Sequence, residues 1–471
     1  MTTIAKVRVS GTGASNRTIS SKLQELLSVK DFGAVGDGTT DDTTALQTAF
    51  AQTGRTVFVP AGTYRYTSSL VPACEQIIGE GEFVSILKPD AGVTIALSIT
   101  RTTDHPKHVE GIQLNGVNTT SATGLFFGNG ASTAVNATNI RVLNFTGSGA
   151  IGVRFGDVLK STFNKISVGS CVDAFVINPV TASFSTTLTL INCVASNNSG
   201  YGEKVVQCYG VKHIGCCFES SGLEGVYFTE TGDAVDIGYD ACWFESNNGN
   251  DTSKYHVVVG TNAGGRTLRP YFVDCYFDTS ASTAKAIRLN GPSVAGFIIE
   301  RPRFGAAVTG AISVENNAYG SIPSWVDACG YSTVVSDSLN RAWSPSGAWV
   351  DWVPTYASDI GNAAATFSGG TVTTAVARFK RISAKATAVE LLWSATLNSV
   401  TPNYFDVSLP TNIATQGNAV YVPCMVKNST YGAGFARYVG DNHVRFHLSS
   451  FGNFTSAAAV GGSLVAVIET A

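Results

Sequence analysis

Apolar residues recur through the middle of the chain in short runs, each followed by a small polar turn and a second apolar run. The first runs end at Leu114, Phe145, Val168, Val194, Phe218, Phe244, Phe277 and Phe304, 23 to 33 residues apart with a mean of about 27. The second runs include Gly124–Phe127, Ile151–Phe155, Phe175–Ile177, Val205–Val206, Val226–Phe228, Val257–Val259, Ile287–Leu289 and Ile312–Val314. One such unit cannot bury its own apolar face, so neighbouring units must stack. Fixed strand cores joined by loops of unequal length predict an all-β chain built on a parallel β-helix. No amphipathic helices separate the runs, which excludes a doubly wound α/β sheet.

The two ends read differently. Residues 1–28 are polar and rich in Gly and Ser as far as Ser20. A short helix pattern follows, with Leu23, Leu26 and Leu27 on one face and capping-box spacing between Ser21 and Gln24. In residues 29–65, Gly33, Gly36 and Gly38 mark tight turns. Asp41 or Asp42 then caps a helix whose apolar face is Leu46, Ala49 and Phe50, and Val57–Tyr64 is a strand ending in a turn. The Gly-Asp-Gly stretch lacks the Lys-Ser/Thr of a phosphate loop and the spacing of a calcium loop. Beyond residue 353, short alternating strands at Thr371–Thr373, Val389–Trp393, Phe405–Leu409, Val420–Val422, Val444–Leu448 and Leu464–Ile468 predict a β-sandwich. Trp325, Trp343, Trp349 and Trp352, with Pro323, Pro345 and Pro354, read as a packed seam at the end of the solenoid. The resulting division is 1–28, 29–340 and 341–471.

Composition narrows the function. Charged residues are 14% of the 471, against about 25% in an average soluble protein. The net charge of −3 argues against a nucleic-acid surface. No signal-peptide core and no 18-residue apolar stretch occurs, so no membrane insertion is expected. The ten cysteines form no CxxC pair and read mostly as small buried hydrophobes. No His/Asp/Glu cluster has metal spacing, and His443 and His447 stand too far apart in a strand to pair. No metal or cofactor is expected.

The order of features from Ser20 to Tyr64 resembles the N-terminal signature of the pectate-lyase-like superfamily. It is similar to the opening of the β-helix in bacteriophage tailspike depolymerases. The resemblance spans roughly residues 18–340. It implies a right-handed parallel β-helix with a short N-terminal helical cap. It also implies a virion tail protein that depolymerises a bacterial surface polysaccharide, capsule or O-antigen, as a homotrimer. Residues 1–28 would then attach to another virion tail protein. The C-terminal sandwich loosely resembles tail-fibre domains that trimerise or bind glycans. The signature carries no catalytic residues.

Three coils match closely: Gly215–Ser221, Ala241–Asn247 and Asp274–Ser280. With Phe218, Phe244 and Phe277 stacked inside, alternation puts Cys216, Cys242 and Cys275 inside as well. Cys217, Trp243 and Tyr276 then point outward, with Arg303 in the same column one coil on. Glu219, Glu245 and Asp278 make a neighbouring outward column. Stacked carboxylates split their proton affinities into one donor and one anion, the pair that glycoside hydrolysis needs. Trp243 and Tyr276 offer faces for sugar rings. Asp233 and Asp236 are rival acids, with Glu224 and Glu230 behind them. A polysaccharide lyase would instead need a base and a group to neutralise a uronate; His213 and His256 are the only histidines in these coils, and His256, Lys254, Tyr255 and Arg266 could be recruited. These read more readily as surface decoration. The loop Asn247–His256 is placed to wall the groove. A non-catalytic receptor-binding spike or adhesin is the reading from a different class.

Overall fold

A computed structural model of the chain describes residues 5–315, apart from Gln24, Ala307 and loops at 101–106, 117–121, 129–131, 181–184 and 261–263. Beyond 315 it describes Ala318 and the strands between Trp325 and Glu469. The expected seam at Trp343, Trp349 and Trp352 lies outside the described residues, as does Gln24 of the expected capping box. Two compact units divide the chain, one built on residues up to 298 and the other on residues from 322 onward.

The first unit opens with turns that need glycine. Gly36 has φ 73°, and a Cβ there would stand 2.7 Å from the Tyr64 ring. Buried Asp42 fixes this loop by accepting the N–H groups of Val35 and Gly36 at 2.6 and 3.1 Å. Asp41 takes the Thr43 N–H at 3.0 Å. Helix Thr43–Phe50 then buries Leu46, Ala49 and Phe50, as its pattern requires. The earlier helix is shorter than expected, Ile19–Leu23. Leu27–Ser28 instead forms a strand, because it pairs in parallel with Val57–Phe58, and Leu26 stays exposed.

The expected parallel β-helix follows. Its coils contribute to a long parallel sheet and to a second parallel sheet that contains all the predicted second strands. Within the long sheet the coils share an aligned left-handed residue, Asn139, Lys165, Asn192, Gly215, Ala241 and Asp274 in successive coils, with others before and after it, such as Asp236 and Ser246 around Ala241. The bend turns the next side chain inward, which makes a buried column of Ile140, Ile166, Cys193, Cys216, Cys242 and Cys275. The thiols behave as small hydrophobes with a weak donor. Cys193, Cys216 and Cys275 each donate to a carbonyl of the preceding coil, at 3.6, 3.5 and 3.3 Å. Burial pushes the Cys193 and Cys242 thiols well up.

Beside this ladder runs the expected aromatic column. Phe218, Phe244, Phe277 and Phe304 pair in register, with successive ring centroids 5.4, 4.9 and 6.2 Å apart. Two expected members are corrected. Val142, not Phe145, pairs with Leu114 and Val168, and Phe145 is buried beyond the strand end. Ala195, not Val194, pairs with Val168 and Phe218, and Val194 faces outward. A small inward alanine beside a larger outward valine inverts the visible pattern.

One inward column of the second sheet carries a charge. It runs Leu125, Val153, Phe175, Glu203, Val226, Val257, Ile287. Fully buried Glu203 accepts from His213 Nε2 at 2.8 Å and from the Tyr239 hydroxyl at 2.6 Å. His213 Nδ1 lies 3.1 Å from the Gly238 carbonyl, and its ring stacks on Tyr239 at 4.3 Å. Both imidazole partners are acceptors, so the ring donates from both nitrogens and carries a positive charge. Burial opposes that charge, but Glu203 outweighs it and raises the His213 pKa.

The second unit is antiparallel, as the strand rhythm predicts. Nine strands follow one hydrogen-bonded order, with Ala386–Thr396 and Tyr421–Asn428 both flanking Ala459–Glu469. Strand Thr430–Tyr438 was not expected, because Gly432 and Gly434 interrupt its apolar alternation. It pairs with Tyr421–Asn428 and His443–Leu448.

The His213–Glu203 pair gives a pH signature. A raised folded-state pKa contributes stability below the unfolded value, and that contribution is lost as pH rises through the folded value. The wild-type unfolding midpoint therefore falls more steeply toward alkaline pH than that of His213→Leu. At neutral pH the variant is destabilised by about 3–5 kcal/mol, because Glu203 loses its cation. Equal midpoints for the two proteins across this range would contradict the buried pair.

Candidate functional site

Strands Cys217–Glu219, Trp243–Glu245, Tyr276–Phe277 and Arg303–Phe304 align one per coil. Since the phenylalanines point in, Cys217, Trp243, Tyr276 and Arg303 form one outward column and Glu219 and Glu245 the next. The Asp278 N–H donates to the Phe244 carbonyl at 2.9 Å, so the backbone continues parallel and carries Asp278 along the carboxylate column. The residues expected to share a face therefore do share it. Trp243 is 43% exposed, and its ring centroid lies 3.9 Å from that of Tyr276. The Trp243 indole N–H donates to Glu245 Oε2 at 2.8 Å. The Cys217 thiol donates to Glu219 Oε2 at 3.6 Å. Arg303 Nη2 reaches back to the Asp274 carbonyl at 3.3 Å. Adjacent parallel strands stand about 4.8 Å apart. That places Glu219 and Glu245 near the roughly 5–5.5 Å spacing of a retaining glycosidase pair.

The rival acids stand elsewhere. Asp233 just precedes strand Ala234–Asp240 and Asp236 lies within it at a left-handed bend of its own, both ahead of the bend at Ala241. Arg266 Nη2 donates to Asp233 at 2.6 Å, and Arg269 Nη2 donates to Asp236 at 2.7 Å. These hydrogen bonds hold both carboxyls below the usual range, which suits a standing anion and not a proton donor. Glu230 is buried and accepts from Thr267 Oγ1 at 3.2 Å and Ser293 Oγ at 3.0 Å. Glu224 lies just before the second-sheet strand Val226–Phe228, and burial raises its pKa against the pull of Lys254 and Arg288.

The histidines are not surface decoration. His213 is in the core pair described above. His256 is also fully buried, with Nε2 2.9 Å from the Asp278 carbonyl and Nδ1 3.1 Å from Asn247 Nδ2. Burial lowers its pKa. Arg266 is engaged with Asp233. Of the groups a lyase would recruit, His256 and Arg266 are thus already engaged in internal contacts. Loop Asn247–His256 is pegged at its start, where Asn247 Nδ2 donates to the Phe218 carbonyl at 2.9 Å. Residues 249–254 between the pegs are exposed.

The sequence reading passed over one cluster. Asp173, Tyr201, Glu224, Tyr255 and Lys285 recur once per coil at an aligned position, at the first residue of a second-sheet strand or just before it. Burial raises the Asp173 pKa, and the Tyr201 and Tyr227 rings stack at 4.7 Å. The once-per-coil recurrence was the available signal, but it shows only after the second strands are aligned by their inward residues.

Residues 26–111 match the family described as "Rhamnogalacturonase A/epimerase, pectate lyase-like". The opening coils are pectate-lyase-like. Mannuronan C5-epimerase AlgE5 of Azotobacter vinelandii is 51% identical over 49 residues, which is 10% of this chain. The matched stretch is only 5% of that epimerase's length. Among solved structures, the Dettilon tailspike protein (gp208) is similar at a TM-score of 0.47 and 10% identity, covering 96% of each chain. The gp49 tailspike of Acinetobacter baumannii bacteriophage Fri1, described as a capsular polysaccharide depolymerase, has a TM-score of 0.39 and 12% identity over 98% of this chain and 89% of its own.

The outward register is open to a chemical test. Cys216 is buried and Cys217 is partly exposed, with its thiol pushed up to about 12 by burial and by Glu219. In native protein treated with N-ethylmaleimide and mapped by mass spectrometry, Cys217 should label slowly, and ahead of Cys193, Cys216, Cys242 and Cys275. Labelling of Cys216 before Cys217 would show that the faces are reversed.

Proposed function

We propose that this chain is a phage tailspike whose β-helix binds and cuts a bacterial surface polysaccharide, capsule or O-antigen, by glycosidic hydrolysis. The observation that carries the reading is the outward pair Glu219 and Glu245, one coil apart beside the exposed Trp243. The tailspike-like order of residues Ser20–Tyr64 supports it. The match of residues 26–111 and the identity shared with mannuronan epimerases support a polysaccharide substrate.

Roles follow from this reading. The Trp243 indole N–H on Glu245 orients that carboxylate, which suits the nucleophile. Glu219 gives a proton to the leaving glycosidic oxygen while Glu245 attacks the anomeric carbon. Glu219 then takes a proton from the water that releases the sugar. Trp243 and Tyr276 contact sugar rings, and Asp278 and Arg303 extend the site by one coil. No cofactor enters the reaction.

Assembly follows the same reading: a homotrimer of parallel β-helices on the virion tail, acting at the host surface. Residues 1–28 dock to another tail protein, and residues 341–471 trimerise or bind glycan. In the N-terminal segment Lys6–Val7 pairs with Arg17–Thr18, and Val7, Val9, Ile19 and Leu26 are exposed, as a docking peptide requires. Light scattering of the intact protein should give about three times 49.2 kDa. A stable monomer would remove the trimer.

The chemistry is tested on the host polysaccharide. New reducing ends without an ultraviolet band from unsaturated uronate indicate hydrolysis, and the band indicates a lyase. Glu219→Gln or Glu245→Gln should lower turnover at least about a hundredfold. The unfolding midpoint should shift little, since both carboxylates face outward, are only half-buried and make no ion pair among the described residues. Trp243→Ala should weaken binding by about 1 kcal/mol. Near-wild-type turnover in both Gln variants would reduce the column to a solvated ladder.

A further inference from the structure

The outward column that carries Trp243 continues toward the N-terminal end of the solenoid. Going back one coil at a time it reads Trp243, Cys217, Val194, Ser167, Arg141. A loop leans over its far end. Three residues separate Glu110 from Gln113, and three separate Thr138 from Arg141, across the bend of their coils. Eight separate Ile78 from Ile86, which hold the same two register positions in an earlier coil. The extra residues project at the corner, where Phe83 is 66% exposed and Val84 44%. The Arg141 guanidinium lies 5.0 Å from the Phe83 ring centre. Phe83 therefore stands over the same outer face as Trp243.

Between this corner and the carboxylates the floor is low. The two coils that separate Arg141 from the Glu219 coil present Ser167 and Val194 in one column and Gly169 and Ser196 in the next. All four are half-buried and short. At about 4.8 Å per coil, Arg141 stands about 14 Å from the Glu219 strand and about 19 Å from the Trp243 strand. Gln113 Oε1 accepts one guanidinium N–H of Arg141 at 3.5 Å. A guanidinium has five such donors, so the group can also donate to a ligand's oxygens. The face thus carries an exposed aromatic at each end, polar donors beside both, and a trough of short side chains between them.

We propose that Phe83 and Arg141 form a distal subsite of the cleavage face, holding a stretch of the polysaccharide several sugars away from the bond that is cut. The proposal rests on the hydrolase reading of Glu219 and Glu245, and it adds selection by chain length. A sugar ring lays its apolar C–H face on Phe83 while Arg141 donates to its hydroxyl oxygens. The chain then runs over Ser167, Gly169, Val194 and Ser196 to the carboxylates. Occupying both ends seats an internal segment of a long polymer at Glu219 and Glu245. The protein therefore cuts within chains and favours polymer over short fragments. A contact this far from the reacting bond is the same before and during the reaction, so it lowers KM and leaves kcat alone.

The test uses polysaccharide purified from a bacterial strain whose surface layer the intact protein clears, together with the shortest fragments of it that the protein still cuts. Wild-type kcat/KM should be higher on the polymer than on the fragments. Phe83→Ala should shrink that preference about three- to tenfold, through KM on the polymer rather than through kcat. Arg141→Ala should act in the same direction. Because Phe83 is exposed, its variant should keep the wild-type unfolding midpoint and the wild-type mass by light scattering. An unchanged preference in both variants overturns the proposal. A Phe83→Ala protein of lower mass also overturns it, because the loop would then be a contact between chains. If Trp243→Ala still weakens polymer binding in either case, only the distal subsite is lost. If wild-type protein cuts no surface polysaccharide and Glu219→Gln binds none, the hydrolase reading fails and the subsite falls with it.

Discussion

In the described coils of the solenoid, outward side chains are placed by one backbone constraint, the in-register parallel pairing of each coil with the next. Side chains alternate along a strand, so one fixed inward residue decides the facing of its neighbours. The aligned left-handed residue that runs from Asn139 to Asp274 is one place in each coil where that alternation is reset. A non-glycine residue there costs about 1–2 kcal/mol, and Lys165 and Ala241 accept it as well as the better suited Asn139, Asn192 and Asp274. Strand pairing on either side of the bend holds them in place. The cysteine ladder and the phenylalanine column follow directly from that bend, and so do the outward Trp243 and Glu245.

The same constraint separates two kinds of charged group. Outward charges keep at least part of their exposure, and some of them, such as Asp233 and Asp236, are paired with arginines there. An inward charge must be satisfied within the core, as Glu203 is by His213 and Tyr239. Asp42 and Glu230 are likewise buried acids spent on structure. Carboxylates are therefore sorted by facing before any question of mechanism arises. The long sheet then offers Glu219, Glu245 and Asp278 beside aromatics, and the second sheet offers Asp173 and Glu224 among cations and tyrosines.

Much of this was legible in the sequence where bulky residues marked the inside. Phe218, Phe244, Phe277 and Phe304 fixed the register of four coils, and with it the facing of Glu219, Trp243 and Arg303. The reading slipped where small residues took inward positions, as Ala195 did beside Val194, and where a buried aromatic, Phe145, stood beyond its strand. Strand Thr430–Tyr438 was hidden by its glycines. The Glu203–His213 pair was unreadable for a different reason. Its members lie on different sheets and meet only through the core, so no local spacing announces them. The second-sheet cluster was missed because Tyr201 and Tyr227 are neither aligned with each other nor part of a motif.

The central claim is that polysaccharide is cut on the outer face of the long sheet. A crystal structure of Glu219→Gln with an oligosaccharide of the host's surface polysaccharide tests it most directly. The account predicts a sugar ring against Trp243 and a glycosidic oxygen within hydrogen-bond reach of residue 219, with Glu245 at the anomeric carbon. Oligosaccharide bound only on the second sheet or the C-terminal domain, with the Glu219–Glu245 column bare, would contradict it.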